Sequence, residues 1–254
     1  MNRTEGHYVH LADSYDYIWS EYPWSQYVPW MNRQIAERIG LRPGERAADI
    51  GAGTGIFIKD LMQHLSPDRP LACLDPSPDM LARLPDDARL KTVQGSVEDL
   101  MSGRAVLPYP QVDVLLSKEA IHHAQDLRQA VRYLAGLLAP GGRFLVVTLP
   151  PLLDYPVFQA AFDLFARNWP QPADICRYMA AAGLEAELTY DQFPVTCTRE
   201  HYLHIMEQRW LSVLSTLDEE QFRKGMEELE YLHPEKIFTF VERRAFIMGR
   251  RPAA

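Results

Sequence analysis

The stretch Ala47-Ala48-Asp49-Ile50-Gly51-Ala52-Gly53-Thr54-Gly55 decides how this chain is read. Ala47–Ile50 is a short apolar run of the kind that forms a buried strand. Three glycines then alternate with small residues, and the pattern after them opens a helix. Glycine in that position lets backbone approach a ligand closely. A dinucleotide fingerprint runs G-x-G-x-x-G, and its third glycine would fall where this chain has Ile56. Asp49 is a second discriminator. A carboxylate at a strand end repels a pyrophosphate laid over the loop and favours a cation, such as the ammonium of an amino-acid ligand.

Working outward, further apolar runs predict strands at Leu71–Leu74, Leu90–Val93, Val112–Leu116 and Phe144–Thr148. Helical patterns lie between most of them. Asp126–Leu138 has Leu127, Ala130, Val131, Leu134, Leu137 and Leu138 on one face, and Pro140-Gly141-Gly142 stops it. Upstream, Trp30–Ile39 reads as a helix with Gly40 as its cap. Alternating strands and helices imply βαβ units and a parallel sheet. After Pro150 the alternation breaks. A helix within 151–168, a helix at Ala173–Ala182 and a strand at Leu184–Tyr190 are expected, then helices at Arg199–Ser215 and Asp218–Glu230. The last of these opens with a capping box, Asp218 to Gln221. A final strand, Ile237–Met248, carries Glu242-Arg243-Arg244.

With 254 residues, 47% hydrophobic and 24% charged, the composition is that of a globular protein. No linker or repeat divides it, so a single domain over 1–254 is expected. Residues 1–40 would form an N-terminal helical lid, 41–150 the ligand-binding core, and 151–254 a C-terminal half with covering helices and the last strands. A net charge of −8 repels phosphate backbones and disfavours nucleic acid as a partner. No run of about 18 apolar residues marks a membrane span, and the N-terminus lacks a secretory core. Cys73, Cys176 and Cys197 are too scattered for a disulfide framework or a metal site. A cytoplasmic protein, monomeric or homodimeric, is expected.

Two more segments extend the ligand site. Asp75 ends the second strand 20 residues after Gly55, where an acid accepts hydrogen bonds from ribose hydroxyls, though it could instead cap the helix near Pro78. Gln94-Gly95-Ser96-Val97-Glu98-Asp99 follows the third strand, where a base edge could be met.

Together, DIGAGTG (49–55), LDPSPDML (74–81), QGSVEDL (94–100), VDVLLSKEAIHH (112–123) and LAPGGRFLVV (138–147) resemble the class I S-adenosylmethionine-dependent methyltransferase family, in the group that acts on small molecules. The resemblance spans about residues 45–150. It implies a Rossmann-like α/β fold: a mostly parallel seven-stranded sheet with helices on both faces, a helical lid and a helical insertion before the last strand. It also implies S-adenosylmethionine as cofactor, with S-adenosylhomocysteine as product. Asp49, Gly51, Ala52, Gly53 and Gly55 would hold the methionine end, and Asp75, Pro76 and Met80 would lie along the ribose. Gly95, Ser96, Val97 and Glu98 would surround adenine, with Ser117 near the sulfonium. Where many relatives have Asp, this chain has Ser96.

For chemistry, His122 and His123 follow the fourth strand, and either is a candidate general base or a pocket wall. Aromatic residues crowd the N-terminus. Of these Tyr15 and Trp19, with Tyr202 and Arg209 from the later insertion, are candidate substrate contacts. No metal role is expected. Transfer to O or N of a small molecule, aromatic acceptors included, is the leading reading. C-methylation and a catalytically silent cofactor-binding protein are the alternatives.

Overall fold

Ala47–Ile50 is β1 in the computed structural model, which describes residues 19–253. All four residues are buried, as expected of a strand covered on both faces. β2 (Leu71–Asp75) and β3 (Leu90–Gln94) pair in parallel on one side of it. β4 (Val112–Lys118) and β5 (Leu138–Thr148) follow in parallel on the other. With β6 (Glu185–Thr198) and β7 (Ile237–Arg250) the order is β3-β2-β1-β4-β5-β7-β6, and β7 runs antiparallel to β5. The strand order reverses between β1 and β4. In an open α/β sheet the ligand crevice lies outside the carboxyl ends at that reversal. The fold therefore brings the glycine loop after β1 and the His-His segment after β4 to one edge.

The helices are α1 (Trp24–Ile39), α2 (Pro78–Leu81), α3 (Val97–Ser102), α4 (Leu127–Gly136), α5 (Gln159–Asn168), α6 (Pro172–Ala181), α7 (Arg199–Glu207) and α8 (Glu219–Leu232). The Asp126 carboxylate caps α4 by accepting from the Gln129 N–H at 2.9 Å. Ala130, Val131, Leu134 and Ala135 form its buried face. Fully burying Val131 or Leu134 contributes about 1.5–3 kcal/mol each. Among the described residues no helix is long and apolar enough to cross a membrane.

The chain groups into two compact units. One comprises Val28–Thr148, Pro170–Tyr190 and the stretch from Ala245 onward. The other comprises Leu149–Trp169, Asp191–Arg244 and the described residues up to Tyr27.

Three expectations are corrected. Pro140-Gly141-Gly142 does not separate helix from strand. β5 already begins at Leu138, opposite Val112, and Arg143 is the next paired residue, opposite Val114, so the three residues form a bulge inside the strand. Gly141 takes φ +74°, and its N–H donates to Arg251 O while Gly142 O accepts from the Arg251 N–H. Secondly, no α-helix follows the glycine loop. Residues 55–62 close a series of tight turns through bonds such as Ile58 N–H to Gly55 O and Leu61 N–H to Ile58 O, ending in a 3₁₀ turn at Met62–His64. The buried Asn32 of α1 supports this stretch, donating to Ile56 O (3.0 Å) and accepting from the Lys59 N–H (3.1 Å). Thirdly, Arg199–Ser215 is not one helix. α7 stops at Glu207, Arg209 takes φ +51°, and a 3₁₀ turn follows at Ser212–Thr216.

Arg143 ties the start of β5 to the approach to β1. Its guanidinium donates to Ile39 O and Gly40 O, where α1 ends, and pairs with both Glu45 oxygens at 2.9 and 2.7 Å. Burial weighs most against the Glu45 charge, yet the Arg143 bonds hold its carboxyl below the usual value. Arg143→Met should leave two carbonyls and a carboxylate without that donor. A loss of about 2–4 kcal/mol in urea unfolding is expected.

Candidate cofactor site

The glycine loop turns on left-handed backbone: Gly51, Gly53 and Gly55 have φ of +79°, +54° and +76°. Its amides point inward. Gly51 N–H and Ala52 N–H both donate to Leu74 O, Gly53 N–H donates to Asp75 Oδ2 at 2.9 Å, and Gly55 N–H donates to Ala52 O. These four donors are therefore committed to the protein. A phosphate-cradling loop needs such groups turned toward the ligand, so this loop is built for something else.

The two faces of the loop differ. A Cβ on Gly51 would lie 2.1 Å from the Ala120 Cβ, so the β1 and β4 edges are pressed together there. A Cβ on Gly53 would meet nothing within 4 Å, which leaves an open approach to bare backbone. Asp49 stands below. Its carboxyl is buried, and among the described residues its Oδ1 has no hydrogen-bond partner. Burial, reinforced by the Asp75 charge and opposed by Lys118, pushes its pKa up to about 7. A buried carboxyl with an orphaned oxygen beside an open glycine edge fits the ammonium of a cationic, phosphate-free ligand. S-adenosylmethionine has those properties, and the residues present fit it.

Asp75 is not the solvent-reachable acid that its place at a strand end suggests. It is 8% exposed and accepts from the N–H groups of Gly53 and Ser77, both at 2.9 Å. Burial raises its pKa, against those two bonds. The helix-capping alternative falls to its neighbour: Ser77 is the N-cap of α2 and accepts from the Met80 N–H. Pro76 is exposed and Met80 buried in the same turn.

Ser96 owes its identity to local structure. It caps α3 in a reciprocal box with Asp99: Ser96 N–H donates to Asp99 Oδ2 (2.8 Å), and Asp99 N–H donates to Ser96 Oγ (3.2 Å). Gly95 and Val97 flank it, both buried, and Gly95 N–H donates to Asp75 O. Glu98 accepts from the Gln125 N–H at 2.9 Å. Ser117 is fully buried and its hydroxyl donates to Ile50 O, locking β4 to β1.

His122 and His123 lie in a 3₁₀ turn, Ile121–His123, with ring centroids 3.9 Å apart. His123 is exposed, whereas the His122 ring nitrogens are buried. Burial, then the charges of His123 and Lys118, hold the His122 pKa well below the usual value, so its imidazole is neutral at physiological pH. The ordinary histidine value expected from sequence does not apply to it.

The remaining candidates lie in the other unit, except Tyr15, which falls outside the described residues. Trp19 joins an aromatic cluster, stacking on Tyr27 at 5.6 Å and meeting Trp24 and Trp210 edge-on. Tyr202 is buried against Phe238 and Phe240, and its hydroxyl donates to Pro156 O. Arg209 donates to Leu214 O and Leu217 O, pairs with Glu219 at 2.8 Å, and lies over the Phe222 ring. Tyr202 and Arg209 are thus tied into the fold. Sequence reasoning did not single out Lys118, at the end of β4, and it noted Glu242-Arg243-Arg244 in the last strand without reading Glu242 and Arg244 as a fully buried pair. Strand alternation was the available signal for the pair, since it sets 242 and 244 on one face and 243 on the other.

A methyltransferase-domain family model matches residues 48–144, the stretch that carries every residue of this edge. Residues 48–144 thus carry a methyltransferase domain, which supports the class I S-adenosylmethionine-dependent methyltransferase reading. It is 29% identical over 157 residues to the ubiquinone/menaquinone biosynthesis C-methyltransferase UbiE of Ectopseudomonas mendocina (strain ymp), an alignment covering 58% of this chain and 61% of that protein. The chain thus spans less than two thirds of that relative's length. Among solved structures it resembles phosphoethanolamine N-methyltransferase 2 of Haemonchus contortus, in complex with phosphomonomethylethanolamine and S-adenosylhomocysteine. The TM-score is 0.59 at 17% identity, over 95% of this chain and 57% of that one. It also resembles the [4+2]-cyclase SpnF, with a TM-score of 0.58 at 17% identity, over 91% and 83%. At such identity these two neighbours report the fold alone. The cofactor of the family is S-adenosylmethionine, and it is the cofactor of this chain.

Two measurements check the site. A cation binds the Asp49 carboxylate and not the neutral carboxyl. Cofactor affinity should therefore be constant well above about pH 7 and fall roughly tenfold per pH unit below it. Asp49→Asn should weaken binding and abolish that slope. Because the folded pKa is raised, the stability that the neutral carboxyl confers is present at low pH and lost as pH rises through about 7, so Asp49→Asn should stabilise the free protein at pH 8. Separately, Gly53→Val should fold at a cost of about 1–2 kcal/mol for its left-handed backbone, yet lose cofactor binding in calorimetry. Gly51→Ala should instead destabilise the protein through its collision with Ala120.

Proposed function

We propose that this chain transfers a methyl group from S-adenosylmethionine to an O or N atom of a small-molecule acceptor. The observation that carries the reading is the buried Asp49 carboxyl with its orphaned oxygen beside the open face of Gly53. When bound, S-adenosylmethionine supplies an electrophilic methyl group on a sulfonium. Displacement there needs alignment above all, so Asp49, Gly53 and Asp75 contribute by fixing where the cofactor lies. An O–H or N–H acceptor must also lose a proton. His122, just beyond the carboxyl end of β4, is the candidate base; burial keeps its imidazole neutral and also makes it a weaker base than a free histidine.

A second reading, transfer to carbon, is favoured by one observation: the relative from Ectopseudomonas mendocina is named a C-methyltransferase. A carbon acceptor such as a quinol ring also has to be deprotonated, so the same base would serve. A panel of phenols, quinols and small amines, assayed with radiolabelled S-adenosylmethionine, separates the readings by the atom that carries the label. Binding without turnover on any of them would support the catalytically silent alternative.

If His122 is the base, His122→Ala should keep cofactor affinity and lose turnover by about 10²–10⁴-fold. Because its pKa is depressed, the wild-type rate at saturating cofactor should show no rising limb near pH 6.5. An equal and modest loss in His122→Ala and His123→Ala would leave catalysis to positioning.

A further inference from the structure

We infer that Lys118 is the cation that holds the α-carboxylate of the bound cofactor, next to Asp49, which takes its α-ammonium. The inference rests on the cofactor assignment above and adds a residue to it. Strand register supplies the geometry. Asp49 pairs with Leu116 of β4 and with Cys73 of β2. Side chains alternate along a strand, so Lys118 and Asp75 stand on the same face of the sheet as Asp49, each one step nearer the carboxyl edge. That face presents two carboxyls and one ammonium in a row across β2, β1 and β4. The amino-acid end of S-adenosylmethionine carries an ammonium and a carboxylate on one carbon, and an adjacent carboxylate and ammonium are its complement.

The loop makes a cation necessary. The N–H groups of Gly51, Ala52, Gly53 and Gly55 are committed inside the protein, so they are not offered to a carboxylate. Lys118 is placed to act instead. Its side chain is only 5% exposed, its Nζ lies 3.1 Å from Glu119 Oε2, and it sits 3.6 Å from the centroid of the Phe57 ring. Phe57 comes from the turns that follow the glycine loop, so the loop itself carries the ring that positions the ammonium. An ammonium has three N–H donors and can serve Glu119 and a ligand carboxylate together. Glu119 holds φ +50°, a strained conformation for a residue with a side chain, and such strain concentrates at ligand sites.

The test compares two ligands by calorimetry at pH 8. S-adenosylmethionine has the carboxylate, and decarboxylated S-adenosylmethionine keeps the ammonium and sulfonium but lacks it. The wild-type protein should prefer the former by about ten- to hundredfold, the range for a charge-assisted contact. Lys118→Met should bind the two within about twofold of each other, and Lys118→Arg should recover part of the preference. Glu119→Gln, which leaves the ammonium in place, should keep it. The inference is overturned if a folded Lys118→Met retains the wild-type preference, or loses affinity for both ligands by one common factor. Binding of neither ligand by the wild-type protein would strike the cofactor assignment itself, an outcome distinct from those.

Discussion

The cofactor edge depends on one carboxyl kept out of water. Asp49 is the penultimate residue of a fully buried strand, within the field of a second acid, Asp75, and of one ammonium, Lys118. An ionised carboxylate in that position is costly, which is why its pKa rises toward neutrality. The surroundings limit that cost in a particular way. Asp75 is bonded to two backbone N–H groups, so its charge is held by the loop it braces. Lys118 is braced in turn by Glu119 and Phe57. The loop conformation is tied to this group of charges through the Asp75–Gly53 bond.

This arrangement links stability to binding. A ligand that supplies a cation binds only the folded, ionised state and stabilises the fold by mass action. The fold surrenders some stability in the free state so that the ligand recovers it on binding, the pattern expected when binding and strain share a site. The same logic separates this loop from its dinucleotide-binding counterparts. There, amides and a helix N-terminus converge on a phosphate. Here the amides turn inward, no helix follows, and a carboxyl takes their place.

The strands of the cofactor edge were legible because their signals are local. Ala47–Ile50 is read from its own four residues, and β2 to β4 differ from the reading only in extending one or two residues further. What failed depends on partners distant in the chain. Pro140-Gly141-Gly142 reads as a stop until Val112 and Arg251 are seen to accommodate it as a bulge. Residues 56–61 have a helical pattern, yet a buried Asn32, 24 residues upstream of Ile56, satisfies them as turns. Arg209 breaks a helix because its guanidinium finds the carbonyls of Leu214 and Leu217. At the site, Asp49 and the glycines were evident from spacing. Lys118 was not, since a lysine at a strand end ordinarily reaches water, and only strand register shows that it shares a face with Asp49.

Methyl displacement asks little of the protein beyond alignment, which fits one fold serving several chemistries. The proteins this chain resembles are named for transfer to carbon, transfer to nitrogen and a cyclisation. In the reading proposed above, Asp49, Gly53 and Asp75 address the amino-acid and ribose parts of the cofactor, which are common to any acceptor. The unit containing Trp19, Trp24, Tyr27, Tyr155 and Trp210 is of a different character, with rings 5.1–6.2 Å apart and a buried Glu242–Arg244 pair whose guanidinium lies 5.2 Å from the Tyr27 ring. A desolvated ion pair adds little to stability compared with apolar residues of the same size. Breaking it would leave an uncompensated charge in the interior, so Glu242 and Arg244 hold their places in β7 together.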